Sequence, residues 1–153
     1  MRLLDYLDAG SIAVGLASSD KTTALETLVD LVVRRGLVKD AAALLQAIRS
    51  RENIVSTGVG NGIAMPHADV PEITVPRLAL AVFPQGVDFE ALDEEPVYVV
   101  FLLLGTPRTP GLHMKILARI ARLSKDPDFF RGLREASSVE TVLATLDLIE
   151  SRH

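Results

Sequence analysis

The stretch PVYVVFLLLG, residues 96–105, limits the possible folds more than any other part of the chain. It is β-branched, aromatic or leucine-rich along its length and shows no polar–apolar alternation, so as a strand it is apolar on both faces. A strand of that kind belongs in the middle of a sheet that is covered on both sides. It reaches only about half of the roughly 18 residues that a membrane span needs, so the chain is not expected to be membrane-inserted. RLALAVFP (77–84) reads as a second strand and SIAVGLAS (11–18) as a third, while QGVDFEALDEE between the first two reads as a turn-rich link.

Helical periodicity supplies the covering layers. After a cap at Ser19 or Asp20, residues Ala24, Leu25, Leu28, Leu31 and Val32 fall on one face, and Gly36 ends the helix. Asp40 caps a second helix, with Ala41, Leu44, Leu45 and Ile48 turned inward and Arg51 placing its charge at the C-terminus. Thr109-Pro110 opens a third as cap and first helical residue, with a stripe of Leu112, Ile116, Ile120 and Leu123. DPDFFRGLREA and SVETVLATLDLIES give two more, the last capped by Ser137 or Ser138. Interleaved strands and helices define an α/β (mixed α+β) class. The expectation is one layered domain over residues 1–153, with a central mixed sheet of about four to five strands flanked by helices.

Composition removes several functions. A net charge of −4 gives no field that favours nucleic acid or anionic lipid. The absence of cysteine excludes a thiol nucleophile, a zinc–thiolate site and a disulfide framework. MRLLDYLDAG carries Asp5 and Asp8 and lacks the apolar core of a secretion signal, so a soluble cytoplasmic protein is expected.

The chemistry gathers around STGVGNGIAMPHADVPE, residues 56–72. A dinucleotide fingerprint fails there: Ile63 stands where the third glycine should be, and Pro66 prevents a following helix. What remains is flexible backbone at glycines such as Gly58 and Gly60, able to turn N–H groups towards an anion, with hydroxyls at Ser56 and Thr57. His67 follows directly. Neutral imidazole is a nucleophile for phosphorus, although the same residues also suit a plain turn. His113 lies in the first turn of the third helix, where unpaired N–H groups and partial positive charge would hold a phosphate and disfavour protonation of the ring. Arg51, with Arg49 as a competitor, offers a planar fork for phosphate oxygens. His153 is assigned to a frayed tail.

RENIVSTGVGNGIAMPHA, together with LHMKILARIARL at a separation of 46 residues from His67 to His113, resembles the mannitol/fructose-type IIA domains of the bacterial phosphoenolpyruvate-dependent sugar phosphotransferase system. That family includes the nitrogen-regulatory IIA proteins, and the resemblance runs from about residue 3 to 149. It implies a mannitol-type IIA fold and a phosphotransferase activity. An HPr-like phosphocarrier would phosphorylate His67, which would pass the group to a IIB domain or hold it as a signal. Arg51 and His113 would stabilise the phosphoryl group, with Ser56, Thr57, Gly58, Gly60 and Asn61 binding phosphate. The group would be carried covalently on histidine, with no metal and no cofactor.

Asn61 favours the regulatory branch, where Asn is common, over sugar transport. Asp69 departs from the basic or neutral residue of many members and could repel phosphate; Glu72 raises the same question. A free-standing chain would meet its partners by diffusion. Lys115, Arg119 and Arg122 form either a solvated basic face or a docking surface, and Val59, Ile63 and Met65 could centre an interface. The alternative is a regulatory module that contacts a kinase, channel or transporter. A metal site from His67, Asp69 and His113 lacks a compact ligand motif, and no GxSxG supports a serine hydrolase.

Overall fold

The computed structural model describes residues 1–52 and 58–153, apart from the side chain of Val59. Its strands are β1 (Ile12–Ala13), β2 (Gly58–Gly60), β3 (Ile63–Ala64), β4 (His67–Asp69), β5 (Arg77–Val87) and β6 (Val97–Gly105). Its α-helices are α1 (Lys21–Arg34), α2 (Ala41–Glu52), α3 (Pro110–Leu123), α4 (Pro127–Arg134) and α5 (Val139–Arg152). One mixed sheet of six strands runs β1-β5-β6-β3-β2, with β4 also paired to β6. β3 and β4 both lie parallel to β6, at successive positions along it. They fill one place in the sheet, interrupted at Met65-Pro66, so the six strands occupy five positions. Pro66 has no N–H to give the ladder, but its carbonyl still accepts from Leu103 N–H at 3.0 Å.

β6 sits between β5 and the β3/β4 position, as its doubly apolar sequence requires. Alternation then divides the interior in two. Ala79, Ala81 and Phe83 of β5 and Val100, Leu102 and Leu104 of β6 pack with α1 and α2 residues such as Leu28, Val32 and Ile48. Leu78, Leu80, Val82, Val99, Phe101 and Leu103 pack on the other face with Ile116, Ile120, Phe129 and Leu146 of α3–α5. The result is an α/β/α sandwich. No helix among the described residues is long and apolar enough to cross a membrane.

The capping chemistry is local. Asp20, not Ser19, accepts from Thr23 N–H at 2.8 Å, Asp40 from Ala43 N–H at 3.0 Å, and Ser138, not Ser137, from Thr141 N–H at 3.1 Å. Thr109 occupies the cap position of α3, but its side chain makes no cap bond, and its Oγ1 is buried without a partner among the described residues.

Several expectations need correction. The strand expected over 11–18 is only two residues long, because a 3-10 turn (Ala9–Ser11) precedes it and Gly15, at φ 66°, bends the chain after it. β5 continues past Pro84 to Val87 through an irregularity in its pairing, the setting in which a strand tolerates proline. Ala41 is exposed rather than inward. His153 is not frayed: its Nε2 lies 3.0 Å from Asp126 Oδ2, and its carbonyl accepts from Arg119 and Arg122. That contact, with the N–H of Asp128, holds the Asp126 carboxyl below its ordinary range.

Candidate phosphoryl-transfer site

The glycine-rich segment forms a β-hairpin. Gly58 pairs with Ala64 and Gly60 with Ile63, and the turn is Asn61-Gly62 at φ 58° and 74°. Those are the left-handed values that favour Asn-Gly in a tight hairpin. Gly62 is required twice over, since a Cβ there would also strike Phe130. Gly58 lies against Phe89 and Ala91, and Gly60 against Asp93. Asn61 lines a cleft with Tyr98, Lys125 and Phe130. Gly58, Gly60 and Asn61 are therefore not among the residues that line the cleft at His67, and the identity of Asn61 is explained by its turn. Ser56 and Thr57 lie outside the described residues.

The hairpin delivers the chain through Pro66 into β4, and His67 is the first residue of that strand, in register with Leu103. Its Nδ1 lies 3.0 Å from the Met65 carbonyl. A carbonyl only accepts, so Nδ1 carries the proton and the lone pair of the neutral ring is on Nε2. β4 and β6 run parallel and end together, Asp69 beside Gly105. The site lies at those carboxyl ends, where open α/β sheets bind ligands.

His113 reaches the same place from the start of α3, with its N–H bonded to the Thr109 carbonyl. The rings of His67 and His113 are 5.1 Å apart, centroid to centroid, and meet edge to face at 77°. Both line a cleft of about 510 Å³ with Arg51, Asp69, Thr106 and Met114. Burial holds the His113 imidazole below its ordinary value, the charge of His67 adds to this, and the Asp69 carboxylate opposes it. Arg51 enters from the last turn of α2. Arg49 instead pairs with Glu26 of α1 at 3.2 Å, outside the cleft lining.

Three surface readings change. Arg119 is only 11% exposed and is held by the buried Glu150 at 3.4 Å, so it belongs to the α3–α5 contact and not to an open basic face. Ile63 is buried in the core. Met114, 64% exposed, is a large apolar residue that faces solvent at the cleft. Its position, adjacent to His113 and off the buried stripe of α3, was the available sequence signal. Glu72 turns away to accept from Lys39 N–H at 3.3 Å, whereas Asp69 faces into the cleft. Among the described residues, no group of three or more His, Cys, Asp or Glu side chains is arranged to hold a metal.

A mixed-sheet sandwich with two facing imidazoles and an arginine at its strand ends finds its counterpart in known sequences. Residues 5–148 match the family described as phosphoenolpyruvate-dependent sugar phosphotransferase system, EIIA 2, and the chain belongs to that family. It is 38% identical over 122 residues to the fructose-specific EIIA component of the phosphotransferase system of Haloferax volcanii, covering 80% of this chain and 79% of that protein. It is 31% identical over 148 residues to a nitrogen regulatory protein of Bradyrhizobium diazoefficiens, covering 97% and 96%. Against the fructose-specific EIIABC component of Bacillus subtilis it is 30% identical over 143 residues and spans 22% of that longer protein. Nitrogen regulatory protein IIA-Ntr from Neisseria meningitidis superposes with a TM-score of 0.85 at 27% identity, over 93% of this chain and 97% of that one. IIA mannitol from Escherichia coli shares the fold, at a TM-score of 0.78 and 22% identity over 91% and 97% of the two chains.

Proposed function

We propose that this protein accepts a phosphoryl group on Nε2 of His67 from an HPr-like phosphocarrier and passes it to a IIB partner or retains it as a signal, in the cytoplasm. The observation that carries this reading is the bond from His67 Nδ1–H to the Met65 carbonyl, which leaves Nε2 as the nucleophile. In the step, the Nε2 lone pair forms the new N–P bond, and the pair of the donor's N–P bond returns to the donor nitrogen. Arg51 supplies a fixed guanidinium for the phosphoryl oxygens, and His113 supplies a ring beside them. Positioning and charge provide most of the catalysis in such a transfer.

The regulatory role is favoured over sugar transport. It is supported by the near end-to-end match to the nitrogen regulatory protein and by the likeness to IIA-Ntr. Met114, exposed beside the cleft, favours a second reading, a module that docks on a kinase, channel or transporter and is switched by the added charge.

The test is incubation with phosphoenolpyruvate, enzyme I and HPr, followed by intact mass. One acid-labile phosphoryl group is expected on the wild type and none on His67→Ala. His113→Ala and Arg51→Ala should label slowly. A label that survives the loss of His67 overturns the assignment. Offering the labelled protein a fructose-specific IIB domain separates transport, which drains the label, from signalling, which keeps it.

A further inference from the structure

The cleft holds one charge that the proposed transfer leaves unused. Asp69 ends β4 directly beside Gly105, the last residue of β6. A Cβ on Gly105 would collide with Nδ1 of His113 and would lie 3.0 Å from Oδ1 of Asp69. Two polar groups from different elements therefore converge over one side-chain-free Cα: the imidazole from α3 and the carboxylate from β4. Among the described residues Asp69 makes no salt bridge. The other charged or titratable groups facing His113 are Arg51 from α2 and His67 from β4, and β6 presents glycine there.

We infer that Asp69 is a positioning residue that acts through His113. It draws the proton of that ring to Nδ1 and stabilises the imidazolium when His67 carries phosphate. This deepens the transfer reading above and rests on it. In the unphosphorylated protein, burial and His67 both oppose a charge on His113, and Asp69 alone among these groups favours it. A dianionic phosphoryl group on His67 reverses the balance, and His113 then takes a proton from solvent. Phosphorylation and proton uptake at His113 are thereby linked, and each favours the other. The carboxylate that looks in the sequence like a source of repulsion acts mainly on the ring between it and the phosphate.

The experiment compares wild type, Asp69→Asn and Asp69→Glu in two measurements. In ring C–H NMR titrations of the unphosphorylated proteins, Asp69→Asn should lower the proton affinity of His113 about three- to tenfold. Asp69→Glu should restore most of it. In phosphoryl transfer from HPr, the pH profile should shift to lower pH in Asp69→Asn, and that shift should vanish in the His113→Ala background. An unchanged His113 titration, or a pH shift that persists without His113, overturns the inference. A wild type that titrates as expected but takes no phosphoryl group from HPr overturns the transfer reading and leaves the Asp69–His113 coupling standing.

Discussion

At Gly105, α3 and β4 require the same small volume, and only the absence of a side chain lets His113 and Asp69 share it. Gly105→Ala should leave the β6 backbone acceptable but push the His113 ring aside. A displacement of about 1 Å costs on the order of 100-fold in transfer rate. The expected result is slow labelling of a protein that melts near the wild-type temperature, measured by labelling time courses and thermal melts. His113 also gives a pH dependence with a definite sign. Its folded value lies below the ordinary one of about 6.5, so between the two the unfolded chain binds more protons. Stability should therefore fall as pH drops through that window and level off below the folded value. His113→Gln should flatten this part of a melting-temperature profile. Gly62→Ala, with a positive φ and Phe130 in the way, should cost roughly 1–3 kcal/mol in urea unfolding.

Among the elements, the join of α1 to α2 fixes where Arg51 enters the cleft. Lys21, the first residue of α1, pairs with Glu52, the last of α2, at 2.7 Å; their side chains are 12% and 3% exposed. The ammonium also lies 5.0 Å from the centre of the Phe89 ring, against which Gly58 packs. Glu52→Gln leaves the ammonium largely buried without its counter-charge and should destabilise by about 3–5 kcal/mol in urea unfolding. Lys21→Met together with Glu52→Leu should recover much of that loss.

Elements of this length were legible in the sequence to different degrees. The five α-helices repeat their apolar residues every third or fourth position, and β6 announces its burial by having no polar side. Strands of two or three residues carry no period, so β2, β3 and β4 were hidden inside what reads as a glycine loop. The Asn61-Gly62 pair between Val59 and Ile63 was their one local signal. Arg51, His67 and His113 were legible as residue types at the right spacing. The direction of Asp69 and the exposure of Met114 were not, because they depend on the register of β4 against β6 and on how α3 is rotated over the sheet.

Across the whole molecule, two apolar interiors share one sheet, and Phe101 of β6 is wholly buried in one of them, stacked on Phe129 of α4 at 6.0 Å. Phe101→Ala should cost about 3–5 kcal/mol, read from the denaturation midpoint. The cleft draws Arg51 from one helical layer, His113 from the other and His67 from the sheet between them. The proposed site is thus a property of the assembled sandwich, and a fragment that loses either outer layer loses one of its three side chains. In the transfer proposed above, a phosphoryl group on His67 would place its charge in a cleft lined from both α2 and α3, so a partner resting on either helix would meet a different surface once the group is loaded.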